Sequence, residues 1–159
     1  MLNIKSQKNG YRGFTLMEVL VGIAILLFLS VIAMSVFSNL RNTQSLNGSV
    51  EQIITVIEEA RVKTLSSSKS LQYGVRFGSD KIVLFEGGVF IEGAINNQET
   101  LFPDSVEIYA VLLNEGGSDV IFQKLTGETD QFGTISVRSK KNQSVSKDIK
   151  IKSTGVIEI

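Results

Sequence analysis

Three hydrophobic patterns follow one another along the chain. From Phe14 to Phe37 nearly every position is apolar, and Glu18 is the one ionisable side chain. Those 24 or so residues would span about 36 Å as a helix at ~1.5 Å per residue, enough to cross a bilayer. From Leu40 the apolar positions thin to Leu40, Leu46, Val50, Ile53, Ile57, Ala60 and Thr64. Arg41, Gln44, Glu51, Glu58, Glu59 and Lys63 fill the rest of the wheel. That spacing predicts a surface helix packed along one stripe. Asn47-Gly48-Ser49 leaves two alternatives open inside it. Either Ser49 caps a restarted helix with Gln52 three residues on, or the helix runs through and tolerates one Gly. Ser66-Ser67-Ser68 ends the helix.

Beyond that point the period shortens to that of strands. β-rich runs cover Leu71 to Phe77, Lys81 to Glu86, Val89 to Glu92, Val106 to Leu113, Asp119 to Leu125, Thr134 to Arg138, Asp148 to Lys152 and Val156 to Ile159. They are punctuated by Gly78-Ser79, Gly87-Gly88, Gly116-Gly117, Gly127, Gly133 and Thr154-Gly155, as hairpins require. In Ile149-Lys150-Ile151-Lys152 and Val156-Ile157-Glu158-Ile159 apolar and polar residues alternate, so each strand buries one face. Pro103 falls in a stretch, Asn96 to Ser105, that reads as a surface loop. The expected fold class is α+β. Residues 1–13 form a leader, 14–37 a membrane-spanning helix, 38–66 an amphipathic helix, and 67–159 an antiparallel β-domain packed on that helix.

Charge fixes the direction of insertion. The leader holds Lys5, Lys8 and Arg12 and no acid, so the positive-inside rule keeps the N-terminus in the cytoplasm and sends everything after Phe37 outside. The apolar run is longer than the 7 to 15 or so residues of an ordinary secretory signal. Its one small-x-small string, Ala33-Met34-Ser35, sits inside it with Val36 and Phe37 still to come. Basic and acidic residues number 16 each over the whole chain. Once the basic leader is set aside the remainder is acidic, which does not mark a nucleic-acid binder.

Composition removes most chemistry. There is no Cys and no His, hence no thiol nucleophile, disulfide, imidazole base or usual zinc site. No phosphate-binding Gly loop and no G-x-S-x-G elbow occurs, and apart from Glu18 the carboxylates are scattered. No cofactor and no metal site is expected, and an enzyme is not.

The string Gly13-Phe14-Thr15-Leu16-Met17-Glu18, behind a short basic leader, closely resembles the processing and methylation site of type IV prepilins and type II secretion pseudopilins. The resemblance implies a prepilin peptidase that cuts between Gly13 and Phe14 and N-methylates Phe14. It implies as partners other pilin or pseudopilin subunits and an inner-membrane assembly platform. The protein would be a single-pass protein of the bacterial cytoplasmic membrane, with its C-terminal domain periplasmic or extracellular, and a filament subunit after assembly. Glu18 would lie one helical turn from the new Phe14 amine. An unpaired carboxylate costs on the order of 2.5 kcal/mol or more near the centre of a membrane helix and less near its end. Pairing Glu18 of one subunit with the amine of its neighbour relieves both charges and sets register. The plainer alternative is that Glu18 snorkels to the interface or is protonated.

A second resemblance covers the downstream half. Glu59-Ala60-Arg61, Val120-Ile121-Phe122, Gly127, Gly133-Thr134-Ile135-Ser136-Val137, Ile149-Lys150-Ile151 and Gly155-Val156-Ile157 look like H-type minor pseudopilins and their FimT-like relatives. This implies a minor subunit of a type II secretion pseudopilus or type IV pilus. The alternative is a FimT-like minor pilin that binds DNA in a competence system, with Arg138, Lys140, Lys141 and Lys147 as the contact residues. An ordinary solvated loop and strand face explains the same charges, since no aromatic accompanies them.

Overall fold

The computed structural model describes residues 13–67 and 71–159, less the side chains of residues 35–39. The leader with Lys5, Lys8 and Arg12, the Ser68 of the helix stop, and the side chain of Phe37 lie outside that description. The chain divides into two compact units, Met1–Asn39 and Leu40–Ile159, and one helix, α1 (Leu16–Ser66), contributes to both.

In the first unit α1 opens behind Thr15, whose Oγ1 accepts the Glu18 backbone N–H at 3.2 Å. Thr15 is therefore an N-cap and Glu18 the third helical residue. From Leu16 to Met34 the helix is apolar on every side, with a mean hydropathy of 2.7 and no buried residue. A helix apolar all round is built for an apolar surrounding rather than for one face of a core.

In the second unit α1 becomes two-faced. Leu46, Val50, Ile53, Ile57 and Ala60 are all at most 1% exposed, and Thr64 is 3% exposed. Leu40, expected on the same stripe, is exposed at 55%. The stripe therefore starts at Leu46, where the sheets begin to cover it. The helix does not break at Gly48. Leu46 and Val50 lie one turn apart across it, and burying each is worth about 1.5–3 kcal/mol against ~1 kcal/mol for a helical Gly. Ser49 is accordingly a buried helical residue, not a cap.

Eight strands follow: β1 (Tyr73–Phe77), β2 (Lys81–Glu86), β3 (Gln98–Leu101), β4 (Val106–Leu113), β5 (Asp119–Ile121), β6 (Gly133–Ser139), β7 (Ser146–Ile151) and β8 (Ile157–Glu158). They make two antiparallel sheets, ordered β3-β2-β1-β5 and β4-β6-β7-β8. Val75, Phe77, Ile82, Leu84 and Val120 of the first sheet share one core with Val106, Ile108, Ile135, Val137, Ile149 and Ile151 of the second, and with the helix stripe. The α+β reading holds. A register shift between Ile108 and Ala110 of β4 turns Tyr109 outward and returns Val111 to the inner face, as a bulge does.

Two expectations fail. Val89 to Glu92 is not a strand, and Gln98–Leu101, inside the expected loop, is one. Gly87, at φ 115°, swings the chain out of β2. Phe90 then lands on Phe85, with ring centroids 5.5 Å apart at 75°. Val83 and Phe85 are thereby buried, at 4% and 1% exposure, on the face of the first sheet that turns away from the core. β2 therefore reads as a continuous apolar run because both its faces are covered. Gly74 makes room for this, since a Cβ there would stand 2.5 Å from Phe85 Cζ. Asp119 to Leu125 also ends early, at Ile121, where Phe122 turns into the core at 0% exposure.

The far end of the helix is fastened by two contacts. Thr64 Oγ1 donates to the Ala60 carbonyl at 2.9 Å and accepts the Tyr73 N–H at 2.9 Å, joining helix to β1. Arg61 Nε donates to the Gly127 carbonyl at 3.0 Å, and an Arg61 terminal nitrogen to the Thr154 carbonyl at 3.3 Å. Arg61 thus holds two turns at once. A Cβ on Gly155 would lie 2.1 Å from the Gly127 oxygen and 2.8 Å from Arg61 Nε, so only glycine fits.

Gly155 and Gly116 share nearly the same backbone, φ 74° and 72°, but nothing lies within 4 Å of a Cβ on Gly116. A fragment of residues 40–159 should unfold cooperatively. Gly116→Ala should cost about 1–2 kcal/mol from its backbone alone, and Gly155→Ala clearly more, because Arg61 loses its carbonyls as well. Equal thermal midpoints for the two variants would dismiss the Arg61 clip. Ile57→Asp places an unpaired charge at a fully buried position and should remove several kcal/mol, a large share of a typical ~5–15 kcal/mol stability. A melt of that variant matching the parent fragment would mean that the stripe does not hold the sheets.

Candidate processing and assembly site

The N-terminal string is presented openly. Gly13 precedes the helix in non-helical backbone, and nothing stands within 4 Å of where a Cβ would project. The described side of the Gly13–Phe14 bond, the bond at which the motif resemblance implies cleavage, is open. Phe14 is 82% exposed. Its aromatic ring and, after cleavage, its amine would stand just before the helix.

Glu18 has a local partner that sequence reading missed, although Thr15-Leu16-Met17-Glu18 spells a capping box. Its backbone N–H is the one Thr15 satisfies, and its carboxylate stands in the first turn, where the helix dipole favours negative charge by about 0.3–1 kcal/mol when exposed. A carboxylate at this depth is therefore partly accommodated within its own subunit. It remains exposed and available to a cation from a neighbour.

The basic residues of the second sheet do not form one surface. Arg138 Nε donates to Glu107 Oε1 at 2.8 Å, and its guanidinium lies 4.7 Å from the Tyr109 ring centroid. Both contacts are on the outer face. Lys147 is opposite Val137 in the β6–β7 register, which puts it on the inner face at the sheet's end. Lys140 and Lys141 lie between the two strands and are exposed. Farther along, Lys152 pairs with Glu158 and, with Lys150 adding to it, holds that carboxyl below the usual carboxylate range. Of the four residues named for nucleic-acid contact, only Lys140, Lys141 and Lys147 lack an acidic partner among the described residues. No group of three or more His, Cys, Asp or Glu among the described residues could hold a metal ion.

Residues 8–34 match the family model described as the prokaryotic N-terminal methylation motif. The match covers the end of the leader, the Gly13–Phe14 bond, Glu18 and the fully exposed apolar stretch of α1. No curated protein and no solved structure matches the chain. The motif implies a type IV pilin or pseudopilin, processed by prepilin peptidase and anchored in the membrane before assembly. Pilins are structural subunits, not enzymes.

Two substitutions at Glu18 separate its two roles. Both keep the backbone N–H that Thr15 accepts; Gln also keeps a polar side chain at the third helical position and loses only the charge, whereas Val loses both. Both variants should insert and be cleaved. If the amine pairing governs assembly, both should enter filaments at least about tenfold less than the parent chain, equivalent to ~1.4 kcal/mol. Quantifying each variant in the sheared filament fraction decides it, and parent-like incorporation of Glu18→Gln would leave the residue only its capping role.

Proposed function

We propose that the protein is a subunit of a short filament, a type II secretion pseudopilus or a type IV pilus, of the H-type minor pseudopilin kind. The observation that carries the reading is the Gly13-Phe14-Thr15-Leu16-Met17-Glu18 string at the head of a helix whose next turns are wholly apolar and wholly exposed. After cleavage behind Gly13 and methylation of Phe14, residues 14–37 hold the subunit in the membrane. Residues 38–66 and 67–159 stand outside, and the prepilin peptidase, the assembly platform and neighbouring pilins are its partners. The apolar helix surface that lipid covers before assembly passes to neighbouring helices afterwards. Glu18 then meets the Phe14 amine of the next subunit, where two charges costly in hydrocarbon cancel. The H-type assignment draws its support from the downstream motif residues, of which Arg61 on α1 and Gly127 and Gly155 in the β-domain stand together.

The test is the mass of the chain recovered from membranes that also contain a prepilin peptidase. Loss of residues 1–13 and one added methyl on Phe14 is the expected result. An unchanged mass, under conditions where a known pilin is processed, would overturn the reading. A DNA-uptake subunit would instead show duplex binding that falls steeply with salt and weakens in Lys140→Glu and Lys141→Glu.

A further inference from the structure

The loop between β2 and β3 is an unusual surface. It runs from Gly87 to Asn97 and carries Val89, Ile91 and Ile95 at 74%, 66% and 101% exposure. Exposed apolar side chains are ordinary when scattered, but three in one short loop form a patch of the kind found at interaction sites. This loop is also held in place. Gly87 N–H donates to the Gln72 carbonyl at 2.8 Å, Asn97 N–H to Ala94 at 3.0 Å, and Asn97 Nδ2 to Ile91 at 2.8 Å. From beneath, Phe90 is gripped between Phe85 and the Arg76 guanidinium, the latter 4.6 Å from its ring centroid. The anchor points inward and its neighbours Val89 and Ile91 point out. A surface ordered in advance loses little conformational freedom on binding.

Charge says what fits it. Glu86 and Glu92 are exposed beside the apolar residues. Asn96 Nδ2 donates to Glu86 at 3.4 Å, and Glu92 stands near enough to Lys81 to act on it electrostatically. The nearby cations Lys81 and Arg76 are already paired with Glu99 and Asp119, so the acids outnumber the bases here. The loop is therefore apolar with an acidic rim. The same chain carries its complement on the other sheet, in the exposed Lys140 and Lys141 of the β6–β7 hairpin. Arg138 at the base of that hairpin is already neutralised by Glu107. An anionic lipid surface or a nucleic acid would be repelled by Glu86 and Glu92, while a second copy of this chain presents the required cations.

We propose that the β2–β3 loop of one subunit docks on the β6–β7 hairpin of a second copy. The two surfaces are different and sit on different sheets, so the contact is heterologous. Each docked copy leaves one free loop and one free hairpin, so the contact propagates from copy to copy rather than closing on itself as a two-fold dimer does. The inference rests on the filament reading and adds to it that the chain can follow itself along the filament. A subunit confined to a single copy at the tip would need only one of the two surfaces.

The absence of Cys makes the test direct. Ile91→Cys and Asn142→Cys are placed together in the full chain, alone in two further chains, and oxidised in membranes and in sheared filaments. The double variant should give a ladder of disulfide-linked multimers, the two single variants mixed should give dimers only, and each single variant by itself should stay monomeric. Adding Glu92→Lys should abolish the ladder, and adding Lys141→Glu to that chain should restore it. Monomers only from the double variant in both fractions would overturn the proposal, as would dimers from either single variant alone. So would capture by a benzophenone maleimide on Ile91→Cys of some other protein and none of this chain. Failure of cleavage behind Gly13 strikes the filament reading, whereas normal cleavage and filament entry without cross-links strikes this contact alone.

Discussion

The second unit depends on one stripe of side chains along α1. Leu46, Val50, Ile53, Ile57 and Ala60 recur at helical spacing, and both sheets turn their apolar faces into the core that these residues share. Neither four-stranded sheet has partners for its inner residues within itself, because a sheet must bury one face against another layer. The helix supplies the common seat. Gly48 illustrates how firmly it does so, since Leu46 and Val50 one turn apart outweigh the local preference of Asn47-Gly48-Ser49 to break.

The same helix serves two solvents in succession. Its first part is apolar in every direction, which suits hydrocarbon and leaves water no polar side to solvate. Its second part keeps apolar residues on one stripe, which suits a protein core facing water. The transition falls in the sequence, not in the backbone, because the helix passes through it without interruption. Within the apolar part Glu18 is the exception, and Thr15 shows how the exception is borne. Its place in the first turn puts the carboxylate at the positive end of the helix dipole, which favours negative charge there.

Legibility tracked the range of the interactions. The membrane helix, the stripe from Leu46 to Thr64 and the strands Lys81–Glu86 and Val106–Leu113 are set by local periodicity, and the sequence displays them directly. Leu40 misled because periodicity marks a face without saying where its cover begins. Val89 to Glu92 misled for a different reason. β-branched and aromatic residues favour strands because they fit a half-buried surface, yet here Phe90 was spent on capping Phe85 across the sheet, a contact visible only once β1 and β2 were paired. Gln98-Glu99-Thr100-Leu101 carried no strand signature at all. It became an edge strand because β2 offered it backbone groups, with Lys81 and Glu99 pairing across the edge at 3.0 Å. At the N-terminal site the processing string was plain, while the Thr15 cap was written in the same residues and passed over.

The proposed likeness of the downstream half to H-type pseudopilins rests in part on residues that Arg61 joins. Arg61, Gly127 and Gly155 are far apart in sequence, and in the fold they are one contact. The guanidinium needs two carbonyls, the two turns expose them by adopting positive φ at Gly127 and Gly155, and a side chain on Gly155 would fill the space the guanidinium uses. Such a pattern is imposed by packing, so it marks the way a helix end is fastened to a pair of sheets. Fastening of that kind belongs to a fold, and a fold hosts more than one function. The N-terminal string is different. Nothing in the second unit requires Gly13, Phe14 or Glu18, and no packing of the described residues explains an open glycine before a bare apolar helix. The proposed function therefore stands on those residues.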